Sequence, residues 1–124
     1  MKADAEPCFG NAATDSAAQQ EWLVGHFVRP ESSLRHSTEV ELKWGTHRAG
    51  EERAEWAAPP TITISILVRG RMRIRLRDRE FVLQREGDYL MLAPDTAHTW
   101  RAEEDSLILT VRWPSRPAPP EGRA

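Results

Sequence analysis

The sequence is short of several things that would point to particular chemistries. Its single cysteine, Cys8, cannot form an internal disulfide, which permits a reducing compartment. No stretch approaches the roughly 18 apolar residues of a membrane-spanning helix, so no membrane partner is expected. The first twenty residues carry Asp4, Glu6 and Asp15 without a continuous apolar run, unlike a signal peptide, and a cytoplasmic location is the expectation. Lysine is scarce: arginine outnumbers it 15 to 2, a bias in keeping with a GC-rich genome. A net charge of −2 supplies no global field for nucleic acid or anionic lipid. There is no G-x-S-x-G elbow, Walker A sequence, G-x-G-x-x-G or C-x-x-C. No helix-turn-helix pattern is present either, so no nucleic-acid partner is expected.

What is present reads as one soluble β domain. A chain of 124 residues, 40% apolar and 29% charged, has room for one hydrophobic core. Residues 1–20 read as a flexible leader, 21–113 as the domain, and 114–124 as a proline-rich tail. Period-two texture predicts strands over Glu21–Val28, Thr38–Trp44, Thr61–Arg69, Arg71–Arg77, Glu80–Gln84, Tyr89–Leu92, His98–Ala102 and Leu107–Trp113. Gly45, Gly50, Pro59-Pro60, Gly70, Gly87-Asp88 and Pro94-Asp95 punctuate them. The nearest approach to a helix is Gly50–Ala57, which runs into two prolines. Many short strands separated by turns imply an all-β sandwich or closed barrel.

Between Arg69 and Arg79 arginine recurs at every second position, and past Gly70 it alternates with Met72, Ile74 and Leu76. A strand would put the guanidinium groups on one face and the aliphatics on the other. An anion-binding surface is one reading. The favoured one is a solvated outer face, paired with acids such as Glu80 and Glu86, that resists edge-to-edge association.

The segment Gly87-Asp88-Tyr-Leu-Met-Leu-Ala93-Pro94-Asp95-Thr-Ala-His98 resembles the second cupin motif, G-x5-P-x-G-x2-H-x3-N. Gly87 and His98 fall in register; Ala93, Asp95 and Ala102 replace the proline, glycine and asparagine, with Pro94 one place late. Upstream, Gly50 and Gly70 match the glycines of the first motif, G-x5-H-x-H-x3–4-E-x6-G. Its three ligand positions fall on Trp56, Ala58 and Thr63. The resemblance covers about residues 50–102 and implies a cupin jelly-roll barrel, a double-stranded β-helix with Gly87–His98 as a hairpin.

Cupins that use metals hold Fe, Mn, Ni, Zn or Cu through those three residues and the second-motif histidine. With the three replaced, no cofactor is favoured, and a single imidazole is a poor metal site. A divalent transition metal would need a displaced set: His98 with His47 and Glu51 or Glu52, with His36 and His26 further back. The alternative is a pocket for a small molecule, lined by His98, Trp100, Trp56, Thr63 and Trp44. Asp88 and Asp95 read as turn formers, and Asp105 lies in a polar loop; a base role for His98 assisted by one of them is the lesser reading. The chain therefore reads as a small-molecule-binding cupin, or else as a metal-dependent dioxygenase, isomerase or lyase. If Thr63 faces inward, so do Ser65 and Leu67. Ile62, Ile64, Ile66 and Val68 then form an outer aliphatic row, which a homodimer would cover.

Overall fold

The computed structural model describes residues 6–117, so the ends of the expected leader and tail lie outside the described residues. Among the described residues nine strands form two antiparallel sheets, with one short helix ahead of them. The helix, α1, spans Ala12–Ala17, and the strands are β1 Trp22–Val24, β2 Glu41–His47, β3 Glu52–Ala57, β4 Ile62–Arg69, β5 Met72–Leu76, β6 Glu80–Leu83, β7 Tyr89–Leu92, β8 His98–Ala102 and β9 Ser106–Trp113. One sheet runs β1-β2-β9-β4-β7 and the other β3-β8-β5-β6. Strands that follow one another in sequence mostly lie in opposite sheets. This is the jelly-roll arrangement, and the two inner faces share one interior. No helix among the described residues is long and apolar enough to cross a membrane.

Alternation decides which side chains enter the interior. Leu67, Met72, Ile74, Leu83, Ala102 and Ile108 form a buried cluster between the sheets, with Leu76, Leu90 and Trp100 packed against it. Leu67 is 1% exposed; burying such a side chain contributes about 1.5–3 kcal/mol. Gly70 turns the chain from β4 to β5 at φ +103°, and a Cβ there would collide with Ser106 and the Asp105 carbonyl. That position needs glycine both for its backbone angle and for its closeness to the neighbouring loop.

The sequence reading is corrected in several places. The segment nearest to a helical pattern, Gly50–Ala57, contains β3 instead. Its backbone is committed to β8, starting with the reciprocal bonds Gly50 N–H to Ala102 O and Ala102 N–H to Glu51 O, both 2.8 Å. A cross-strand ladder overrides the helix propensity of Glu, Arg and Ala. β2 begins three residues later than expected and runs through Gly45 to His47, so this glycine is not a turn. β1 stops at Val24. Gly25 instead makes an isolated bridge with His36, and His36 Nδ1 lies 3.0 Å from the Val28 carbonyl oxygen.

The expected leader and tail both contain ordered, docked residues. Asn11 caps α1 by accepting the Thr14 N–H, and α1 lies against β1 and β2 with Ser16 buried. In the tail, fully buried Ser115 accepts the His26 N–H at 3.0 Å and donates its own proton to Glu41 at 2.8 Å. A hydroxyl has one proton, so the 2.9 Å contact with His26 Nδ1 is donated by the imidazole. Serine, histidine and carboxylate meet here as a clamp on the chain end. The hydroxyl proton goes to Glu41, so this is no nucleophile–base pair.

Candidate ligand-binding site

The signature segment positions the site, although it is not a hairpin. β7 pairs with β4 in one sheet, whereas β8 pairs with β3 and β5 in the other. The turn at Pro94-Asp95 carries the chain across the mouth of the barrel. Asp95 stands at the motif's glycine position with φ +64°, a region that aspartate tolerates better than most side chains. Gly87 turns at φ +94°. Between them, Asp88 accepts the N–H groups of Gln84 and Arg85, which hold its carboxyl below the usual range. Asp88 is therefore a turn former, as expected.

β8 then delivers His98 and Trp100 to a cavity of about 320 Å³ inside the barrel. His98 Nδ1 lies 3.1 Å from the Thr96 carbonyl, so this nitrogen carries the proton and Nε2 remains an acceptor. Burial pushes the His98 pKa down; the Thr96 bond opposes this, and Arg53 and Arg112 add to it. Opposite stand Thr63 and Ser65 of β4 and Thr110 and Arg112 of β9, on strands whose register pairs Thr63 with Arg112 and Ser65 with Thr110. Met72, Ile74 and Ile108 supply apolar wall.

Three cations line the same cavity: Lys43 from β2, Arg53 from β3 and Arg112 from β9. Arg112 Nη2 pairs with Glu41 at 2.7 Å, its guanidinium lies 4.6 Å from the Trp22 ring centre, and its Nε is buried without a hydrogen bond. Lys43 Nζ lies 5.5 Å from the same ring. Burial lowers the Lys43 pKa; Glu21 and Glu51 oppose that, while Arg112 and Arg53 reinforce it.

Of the expected pocket residues, His98, Trp100 and Thr63 meet at this cavity, and Trp44 and Trp56 do not. Trp44 falls between inward-facing Lys43 and Gly45, so alternation turns it to the outer face. Trp56 is displaced by a bulge: Arg53 pairs with Trp100 and Ala57 with His98, leaving three residues of β3 opposite one of β8. Its ring is 40% exposed and sits 4.1 Å beneath the Arg77 guanidinium on the outer face. Spacing from Gly50 cannot register such a bulge.

The displaced metal set is assembled only in part: His47 lines the same cavity as His98, and Glu51 does not. The His47 ring packs against Trp100 with centroids 4.5 Å apart and the planes tilted by 55°, and its Nδ1 is buried, without a hydrogen bond, 3.6 Å from Glu51 Oε1. That Glu51 oxygen accepts the Arg48 N–H, and Glu52 pairs with Arg101. Burial pushes the His47 pKa down against the pull of Glu51 and Glu21, with Lys43 adding to the fall. His26 and His36 are held by the clamp and by Val28. Among the described residues no three His, Cys, Asp or Glu side chains could share an ion. At the motif's glutamate position the Thr63 hydroxyl lies 3.2 Å from that of Thr61, and the inward residues of β3 paired with β8 are Arg53 and Ala57. A guanidinium and a methyl group cannot ligate a cation, so these residues do not fit a metal.

Comparison with known proteins agrees with the architecture. No protein-family description and no curated protein matches the chain. Among solved structures, a cupin-2 domain protein from Shewanella frigidimarina aligns at 21% identity and TM-score 0.53, over 61% of this chain and 72% of its own. A cupin superfamily protein from Desulfitobacterium hafniense aligns at 18% and 0.59, over 63% and 70%. KdgF from a Halomonas species aligns at 22% and 0.59, over 65% and 75%. The fold is that of the cupins. The cupin barrel here differs from the motif pattern in what lines it. Lys43, Arg53, Arg112, Trp22, Ser65 and Thr110 were all missed as site residues. The available signal was on β9, where Thr110 and Arg112 alternate with Leu109, Val111 and Trp113.

Proposed function

We propose that this cupin barrel is a binding module that holds a small molecule between His98, Trp100 and Thr63. One observation carries the reading: on β4 and β9 polar residues turn to the cavity and aliphatic ones to the outer face. Thr63, Ser65, Thr110 and Arg112 line a cavity of a size suited to a compact ligand, and Met72, Ile74 and Trp100 give it apolar wall. The metal-dependent alternative would require His98, His47 and Glu51 to converge. A fragment screen followed by tryptophan fluorescence tests the proposal. Compounds should bind the wild type and lose binding in Ser65→Phe, which fills the cavity. About one transition metal per purified chain, lost in His98→Ala, would overturn it in favour of the enzyme.

The same reading gives the barrel a second copy of itself as partner. Ile64 and Ile66 pair with Met91 and Tyr89, which are 49% and 63% exposed, on the outer face of the five-stranded sheet. α1 lies against β1 and β2, at the other end of that sheet. An uncharged aliphatic face is complementary to itself, as a two-fold interface requires. Scattering at micromolar concentration should give a two-chain mass, and Ile64→Arg a one-chain mass. A one-chain mass for the wild type would refute the pairing.

A further inference from the structure

Lys43, Arg53 and Arg112 reach the cavity from three strands belonging to both sheets. No carboxylate stands among the residues lining it. Three acids lie behind the wall, each already engaged. Glu41 holds Arg112 at 2.7 Å and accepts the Ser115 proton at 2.8 Å. Glu21 accepts the Thr46 hydroxyl at 2.7 Å and its N–H at 3.2 Å. Glu51 accepts the Arg48 N–H at 2.8 Å. Among the described residues neither Lys43 nor Arg53 has a carboxylate within 4.0 Å. The cations also act on one another, since Arg53 and Arg112 both disfavour the charged form of Lys43. Lys43 and Arg112 are half-buried and Arg53 is exposed; like charges that converge repel one another, and an anion between them relieves the repulsion.

The rest of the cavity narrows the anion. A volume of about 320 Å³ lies at the small end of the range of small-molecule sites. An inorganic ion would leave most of it unfilled. Met72, Ile74, Ile108 and the Trp100 indole offer apolar surface to a carbon skeleton. A guanidinium donates two parallel N–H bonds to a carboxylate, and a lysine adds a point charge beside it.

We infer that the cavity binds a small organic acid, its carboxylate between Lys43 and Arg53 and its apolar body against Met72, Ile74, Ile108 and Trp100. This inference rests on the small-molecule reading above and specifies its ligand class. In it, fixed cations on β2 and β3 do the work of holding an anionic ligand, at a site where the motif pattern would place a metal.

Matched acid–amide pairs test it on the full chain: benzoate with benzamide, and phenylacetate with phenylacetamide, with inorganic phosphate as a probe of charge alone. Calorimetry should find each acid bound at least about tenfold more tightly than its amide, as charge-assisted hydrogen bonds would produce. Lys43→Met and Arg53→Gln should each weaken the acids about tenfold and leave amide binding nearly unchanged. Far-UV circular dichroism establishes that both variants are folded. Arg75→Gln, on the outer face of β5, should leave both unchanged. Amides binding as well as acids, and losing binding in Ser65→Phe, would overturn the inference and leave the small-molecule reading standing. Phosphate binding as tightly as the acids would overturn the organic half. If no compound of a broad screen binds in a manner sensitive to Ser65→Phe, both fall.

Discussion

On the outer face of β5, Arg73 is held by Glu80 at 2.6 Å and by Glu103 at 2.7 Å, Arg75 lies 3.6 Å from Glu80, and Arg77 covers Trp56. Inside the barrel Lys43 and Arg53 meet no such partner. Arg73 and Arg75 lie on β5 with Arg77 just past its end, the inner cations lie on β2, β3 and β9, and the two sets fall on opposite sides of the wall. The outer set conforms to the reading of a solvated face, with Glu103 in place of the expected Glu86. Its charges are matched by acids on neighbouring strands and loops. In the inner set Arg112 is held by Glu41, while Lys43 and Arg53 have no such partner among the described residues, and that contrast separates a solvated face from the proposed ligand site.

The sharpest way to break this contrast is to remove the one carboxylate that reaches an inner cation. Glu41→Gln keeps the Ser115 contact and strips Arg112 of its counter-charge. Urea unfolding should show a loss of about 3 kcal/mol, the cost of leaving one member of a buried pair alone. Binding of benzoate should strengthen at the same time, because Arg112 joins the free cations. A variant that loses stability without gaining affinity would show that Arg112 does not address the cavity.

A second test uses pH. Burial keeps His47 and His98 below the ordinary imidazole value of 6.5 in the folded state. The unfolded chain therefore takes up their protons first as pH falls. Their contribution is complete above about 6.5 and is lost as pH drops toward the folded values. The pair Arg73–Glu103 responds elsewhere: Arg73 holds Glu103 below 4.5, so its contribution persists until the pH is lower still. The urea midpoint should be level between about pH 8 and 7 and decline below about 6.5, and the decline should be shallower in the double variant His47→Gln, His98→Gln. Parallel curves for variant and wild type would assign the decline to other groups.

The smallest effect belongs to the outer face. Arg75→Gln should change stability by no more than about 0.5 kcal/mol, as exposed substitutions do. A larger loss, measured by urea unfolding at low salt, would mean that the outer arginines act as a network.

Much of the architecture was legible in the residues. Gly87, Asp88 and His98 located the turn into β7 and the start of β8, and the Met72-Ile74-Leu76 alternation identified the inner face of β5. His98, Trp100 and Thr63 were legible as cavity-lining residues because each lies where its strand keeps register. Trp56 was misread because an unseen bulge in β3 breaks the motif spacing, and Trp44 because its strand parity depends on pairing with β9.

The sequence by itself determined that the chain is all-β, that its arginine ladder faces water, and that His98 stands at the start of a strand. Strand period and turn chemistry are local properties, and they suffice for those conclusions. Only the tertiary structure decided that Lys43, one of two lysines in the chain, shares a cavity with Arg53 and Arg112. These three residues come from β2, β3 and β9, and their meeting depends on which strands lie side by side. Charge convergence is a property of that register, so the nature of the pocket becomes visible only when the two sheets close.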